Sequence, residues 1–339
     1  MSGLREAFLD VAPGERRGVV TLDGRPECLW IERDGDDPVL KLGARTVARV
    51  RRIEPALRLA FLELGPGAMA AAPLRNGVTE GAALEVEITA EPRRGKEAVA
   101  RVLGPVDEQA PRLLAPAPGL AARLASAAGR PPRTGEEARE AADEAEAAAL
   151  AVEHRLPGGA SLAVERTRAL TAVDFDLGGA HGDAGRAARR VNLLGLEQAA
   201  RLLRLKALGG LIVLDLVGGH QDESVLAAAR AAFAPDAPGV VFGPPSRLGL
   251  LHLSKPWRDT PAADRLLDAD GRPTPATRAV RLVRALERQG RGDPGACFQA
   301  VCDPETAATA ARLAVQLGPR FSVAPDLGRA PERPDIRRL

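Results

Sequence analysis

Short apolar runs broken by glycine and proline fill the first hundred residues, and they predict strands joined by tight turns. Residues 18–33, GVVTLDGRPECLWIER, read as two strands meeting at Asp23-Gly24, a strong hairpin signal. From about 40 to 104 the runs RTVARVRRIEP, LRLAFLEL, MAAAPL and ALEVEITAEPRRGKEAVARVL predict a small barrel. Residues 105–134 are rich in Pro, Ala and Arg and read as a loose connection. The stretch after it, EEAREAADEAEAAALAVEH, predicts an acidic helix whose charges form a solvated face. Beyond 151 the pattern alternates: strands near GASLAVE and ALTAVDFDLGG, a long helix over 184–207, a strand before residue 215, a helix at about 221–233, then GVVFGPP and SRLGLLHLS. That order predicts a layered α/β domain. The tail predicts a helix at about 276–289 and a second one starting at Asp303-Pro304-Glu305 and stopping at Gly318.

One run breaks its own pattern. Residues 209–219, GGLIVLDLVGG, read as a strand covered on both faces, yet Asp215 sits inside it. An unpartnered buried carboxylate costs several kcal/mol or shifts its pKa upward. Asp215 therefore caps the next segment, pairs with an arginine, or binds a cation. In LTAVDFDLGG, strand alternation puts Asp174 and Asp176 on one face and Phe175 on the other. Two strands thus run apolar and then meet acid just before glycine pairs. Magnesium takes one or two carboxylates plus waters and phosphate oxygens, so the arrangement suits that ion; two loop caps would leave the same pattern. On the helix between them, Arg186, Arg190, Arg201 and Arg204 recur at helical steps opposite Val191, Leu194, Leu202 and Leu205. This is either a phosphate-facing stripe or a solvated face. His181 and Asp183 also lie near, in a glycine loop that reads as plain surface.

Composition narrows the classes. At 339 residues and 45% apolar content the chain can bury one large core or several modest ones. The net charge of +2 gives no gross announcement of nucleic acid, and the chain has no tyrosine and seven phenylalanines, hence few platforms for bases. Basic residues are nearly all arginine, with Lys41, Lys96, Lys206 and Lys255 the exceptions. Cys28, Cys297 and Cys302 form no CxxC pair and no disulfide framework. No run approaches the ~20 apolar residues of a membrane span, and no signal peptide is expected, so the expected compartment is the cytoplasm. There is no GxGxxG after a strand, no phosphate-binding P-loop and no GxSxG elbow.

The segments RLPGGASLAVERTRALTAVDFDLGG, VNLLGLEQAARLLRLKALGGLIVLDLV and SRLGLLHLS resemble, in order and spacing, the catalytic core of the ribonuclease E/G family. RVRRIEPALRLAFLELG and RRGKEAV resemble that family's OB-type RNA-binding barrel. The resemblance implies a mixed α/β chain: a small OB-type β-barrel, then a DNase I-like α/β catalytic domain, then a small helical tail. The expected segments are an N-terminal β-hairpin segment (1–39), the barrel (40–104), a linker and acidic helix (105–150), the catalytic domain (151–265) and a small C-terminal α/β or helical domain (266–339). It also implies a magnesium-dependent endoribonuclease acting on single-stranded RNA by metal-assisted hydrolysis. Asp174 and Asp215 would hold one Mg2+ per active site, and Asp176 falls on a third polar position of the catalytic centre. Phe61 and Lys96 match RNA-contacting positions of the barrel, Arg247 matches the arginine of an SR-x-G-L segment, and Arg204 is a further RNA-binding candidate from the stripe.

Departures from the family pattern are several. The interval between barrel and catalytic domain is about fifty residues, lacking most of the 5′-monophosphate sensor and RNase H-like region; Arg133-Thr134 resembles the sensor's Arg-Thr pair. A second barrel aromatic is replaced by Ala71, and an acidic residue after the second aspartate by Gly218. The zinc-binding Cys-Pro-x-Cys segment is missing after SRLGLLHLSKPW, so zinc is not expected and any homo-oligomer would not be joined through it. Two alternatives stand beside the nuclease: an RNA-binding protein of the same family with weak or no cleavage, and an assembly factor whose aspartates are only loop caps.

Overall fold

Three antiparallel strands, β1 (Arg5–Ala12), β2 (Glu15–Leu22) and β3 (Arg25–Arg33), open the computed structural model, which describes residues 3–108, 110–179, 184–219, 223–244 and 246–339. The β2–β3 turn has φ of 51° at Asp23 and 75° at Gly24, the left-handed pair that a tight hairpin requires. Both faces of this meander are covered. Phe8, Val19, Leu29 and Ile31 enter the main core, while Ala7 and Val20 meet Leu120 and Leu124.

The barrel follows: β4 (Arg45–Glu54), β5 (Leu59–Gly65), β6 (Ala68–Pro73), β7 (Ala83–Ala90) and β8 (Ala98–Pro105). The strands close in the order β4-β5-β6-β8-β7-β4, with β6 and β8 parallel. Alternation sends Ala60, Leu62 and Leu64 inward and leaves Phe61 outside. The expected loose connection is more ordered than its composition suggested. Strand β9 (Arg112–Ala115) pairs with β4, and α1 (Leu120–Ala128) buries Leu120 and Leu124 under the N-terminal sheet.

Helix α2 (Glu136–Leu150) keeps Glu136, Glu137, Glu140, Asp143 and Glu144 on the expected solvated face, but two of its charges leave that face. Its alanines 138, 142, 145 and 149 pack into the core, and Arg139 and Glu146 are buried with them. They can be buried because they join an ion network. Asp10, 2% exposed, lies 2.8 Å from Arg17 and 3.9 Å from Arg139 and also pairs with Arg284; Arg17 reaches Glu146 at 3.1 Å. Burial alone would push the Arg17 guanidinium down, but Asp10, Asp143 and Glu146 more than reverse it and hold Arg17 above its ordinary value.

Strands β10 (Glu153–Arg155), β11 (Ser161–Arg166) and β12 (Thr171–Asp176) lead into α3 (Ala184–Leu205), which returns the chain to β13 (Gly210–Asp215). Helix α4 (Glu223–Phe233), β14 (Val241–Phe242) and β15 (Leu250–Lys255) complete a six-stranded sheet ordered β10-β11-β12-β13-β15-β14. Only β12 and β13 run parallel within it. Its covered face presents Leu162, Val164, Val173, Phe175, Ile212, Leu214, Leu251 and Leu253 to α3 and α4. Helix α3 also touches β3, so the N-terminal meander and the six-stranded sheet share one core across it. The helix comes close because residue 195 is glycine: an added Cβ there would strike the Phe175 ring. No described helix is long and apolar enough to cross a membrane.

After α5 (Ala262–Leu266) the tail forms α6 (Pro275–Gly292), β16 (Phe298–Cys302), α7 (Pro304–Ala314), β17 (Phe321–Pro325) and β18 (Asp335–Arg338). The Asp303 side chain caps α7 through the Thr306 N–H at 3.1 Å. The tail is not merely helical. Its strands form a small sheet, β17-β16-β18, backed by the two longer helices.

At the start of the large sheet, His154 and Lys206 share the Ala151 carbonyl. Burial, aided by the neighbouring Lys206 cation, pushes the His154 imidazole from 6.5 down to about 4. Between those values the unfolded chain takes a proton that the folded chain refuses, so stability falls as pH drops from 6.5 towards 4. Replacing His154→Gln is expected to flatten that part of the profile, measured as urea midpoint against pH.

Candidate active site

The registers of the six-stranded sheet fix the candidate site. Asp174 is the direct partner of Asp215 across the parallel β12–β13 pair. Directly opposed residues share a face, so one row crosses five strands as Glu153, Ala163, Asp174, Asp215 and Leu250. The row behind it reads Glu165, Ala172, Val213 and His252. This face is open: Asp174 and Asp215 are exposed, and Leu211 is 46% exposed. The expectation of a β13 covered on both faces is therefore corrected. Ile212 and Leu214 point into the core, while Leu211, Val213 and Asp215 look out. Asp215 needs no buried partner because it is not buried.

Neither carboxylate has a hydrogen bond or ion pair among the described residues, so neither is a loop cap nor an arginine's partner. Neighbouring strands lie ~4.8 Å apart, which brings the two acids within reach of a common cation. The donor chemistry fits magnesium: two hard, water-exposed carboxylates, with room for waters and phosphate oxygens. No three His, Cys, Asp or Glu side chains converge as a protein-filled metal centre among the described residues. Asp176, on the same face, accepts the Gly178 N–H at 2.8 Å. That turn depends on glycine. Gly178 has φ of 53° and an added Cβ would meet the Gly159 carbonyl.

Asn192 was not singled out from the sequence, and it shapes the site. Its side chain is fully buried in α3, donates to the Val217 carbonyl at 3.0 Å and accepts the Val217 N–H at 2.9 Å. It thereby clamps the backbone just past Asp215. Only the change from apolar to polar in VNLLGL could have flagged it. Asn192→Ala would strand both Val217 groups and is expected to cost about 2–4 kcal/mol, read from denaturant midpoints.

The other candidates divide. Arg247 is exposed, without a partner among the described residues, in the Ser246–Gly249 turn that leads directly into Leu250, the register neighbour of Asp215. Arg204 is not on this face. It pairs with Glu27 and Asp236, each at 2.9 Å, on the covered side, and Arg201 bonds Gln198 and the Pro26 carbonyl. Arg186 and Arg190 are exposed near the start of α3, so the four arginines do not form one phosphate-facing stripe. Arg133 is engaged with Glu6, Glu137 and the Phe8 ring. His181 and Asp183 lie outside the described residues.

Phe61 stands on the outer barrel wall with the Arg52 guanidinium 4.7 Å from its ring centre, and its register partner is Ala71. Lys96 is exposed at the 93–96 turn. The neighbouring barrel residues dock on the segment after β15. Glu91 donates its N–H to the Arg258 carbonyl at 2.7 Å, Arg94 its N–H to Asp264 at 2.9 Å, and Arg93 and Arg166 lie over Trp257 at 4.7 and 5.1 Å. Trp257 rests on Gly210, where an added Cβ would sit 3.0 Å from its Nε1. This answers why a Gly-Gly pair precedes β13. At ~3.3 Å per residue, the seam at Gly210 and the acid at Asp215 stand roughly 16 Å apart along one strand.

Residues 138–258 match the family described as "Ribonuclease E/G family". The chain is similar to Ribonuclease E of Haemophilus influenzae, 38% identical over 109 residues, covering 30% of this chain and 12% of that protein. It is similar to Ribonuclease E of Escherichia coli at 38% over 109 residues, covering 30% and 10%. The Ribonuclease E/G-like protein, chloroplastic, of Arabidopsis thaliana is 33% identical over 142 residues, covering 39% and 14%. The matched segment thus spans between a tenth and a seventh of each relative's length.

Proposed function

We propose that this chain, whose residues 138–258 carry the ribonuclease E/G family match, is a magnesium-dependent endoribonuclease that hydrolyses single-stranded RNA in the cytoplasm. One observation carries the reading: Asp174 and Asp215 stand side by side on an open face, unpaired among the described residues, within the matched segment. Two adjacent like charges are unfavourable in a sheet, so their juxtaposition suits a cation better than a structural role. The closed barrel with its parallel β6–β8 pair supports the OB type, and a mixed sheet with helices on one face supports a DNase I-like catalytic domain.

Asp174 and Asp215 would hold the ion, and a magnesium ion there supplies Lewis acidity and a bound water of lowered pKa. Asp176 has one carboxylate oxygen committed to Gly178 and the other left to orient a water. Arg247, extended from its turn beside Asp215, would neutralise charge growing on the phosphoryl oxygens. Lys96 and Phe61 would grip the strand from the barrel, the first through phosphate and the second through base stacking. Arg204, committed to two carboxylates, takes no part.

A second reading, an RNA-binding protein of the same family with weak or no cleavage, is favoured by the barrel. Phe61 is covered by Arg52, and Ala71 offers no second platform. Incubating the purified chain with labelled single-stranded RNA, with magnesium and with a chelator, separates the two. Cleavage that the chelator stops is the expected result; salt-sensitive binding without cleavage would replace the first reading by the second.

A further inference from the structure

The open face carries further polar groups that the reaction above does not employ, His252 among them. His252 lies on β15, directly opposite Val213 and therefore diagonal to Asp215 on the same side. Diagonal neighbours on a sheet are ~7–8 Å apart, and the ring itself leans towards Gly243, on the side of β15 away from β13. Its nearest neighbours on this face are Val213 across the strand pair and Leu250 and Ser254 along β15. The imidazole is half-buried, and its ring has no hydrogen-bond partner among the described residues. It is nonetheless held in place. An added Cβ at Gly243 would fall within the ring, so the imidazole lies against bare backbone, and the Gly243 N–H donates to the His252 carbonyl at 2.9 Å. Gly243 is extended enough to take alanine but for this ring, since it is not among the positive-φ glycines.

We propose that His252 is an RNA-contacting residue that donates a hydrogen bond to a phosphate oxygen of the strand lying over Asp174 and Asp215. The inference rests on the nuclease reading and adds to it a contact on β15. A histidine gains nothing from an open sheet face that neither covers nor pairs it, whereas valine or threonine would suit the strand better. An imidazole held over Gly243, with no hydrogen-bond partner among the described residues, stands on the β14 side of the same open face as the two acids, where a strand crossing the sheet past Asp215 would pass. The acids alone repel that phosphodiester, and a neighbouring donor offsets the repulsion at the oxygens they do not reach. Because the contact would form in the bound strand before and during the reaction, it acts on binding more than on turnover.

The test uses the full chain and a fluorescent single-stranded oligoribonucleotide, with affinity measured in chelator and cleavage measured in magnesium. His252→Ala is expected to weaken binding about tenfold and to raise KM by a similar factor, leaving kcat largely unchanged. His252→Gln, which keeps an N–H donor, should recover most of the loss. Gly243→Ala should displace the ring and reproduce the His252→Ala defect, and the two losses should not add in the double variant. Thermal melting establishes that each variant is folded. A wild-type chain that binds and cleaves while His252→Ala matches it in affinity and KM overturns this inference alone. A wild-type chain that binds no RNA overturns the nuclease reading, and this contact with it.

Discussion

Asp215→Asn should lose RNA cleavage by at least ~100-fold while the protein becomes slightly more stable. The two effects have one origin. Asp174 and Asp215 are opposed across β12 and β13, exposed, and without a counter-charge among the described residues. Removing one negative charge relieves a repulsion worth roughly 0.2–1 kcal/mol. It also removes half of the negative charge offered to the proposed ion and one of its four oxygen donors. Asp174→Asn should behave alike, and the double variant should lose little more activity than either single one, because the two acids act as a unit. Cleavage rates and melting temperatures of the three variants check this together. An activity loss accompanied by destabilisation would point to loop-capping aspartates instead.

Asp10→Asn is expected to produce the largest loss of stability, about 3–5 kcal/mol, far from the candidate site. Asp10 is 2% exposed and serves Arg17, Arg139 and Arg284, which come from β2, α2 and α6. The asparagine keeps the shape but not the charge, leaving buried guanidiniums short of compensation. Buried nitrogen atoms of Arg139 and Arg284 already lack hydrogen-bond partners, so the network has no spare acceptors. A fall in the urea midpoint with unchanged slope would be the signature. An unchanged midpoint would mean that Glu15, Asp143 and Glu146 carry the arginines without it.

Local rules made much of this molecule legible. Period-two alternation placed Asp174 and Asp176 opposite Phe175, and the Asp23-Gly24 turn and the Asp303 cap follow from backbone chemistry within a few residues. What alternation could not give was how much covers a sheet. Leu211 and Val213 are as apolar as Ile212 and Leu214, yet only the latter pair meets α3 and α4. Two charges of α2, Arg139 and Glu146, leave its solvated face for the related reason that they find partners more than a hundred residues away. Asn192 was silent because its role is to bond backbone atoms, which no side-chain pattern records. The strands of the tail were missed because each is short and flanked by stronger helical signals.

The β12–β13 alignment also limits how this protein can change. A slip of one position along either strand would turn one acid inward against α3 and an apolar neighbour outward. Loops on the rim can lengthen, shorten or exchange residues without that penalty. Insertions and deletions should therefore accumulate outside Thr171–Asp176 and Gly210–Asp215, where evolutionary drift can alter length without separating the paired acids.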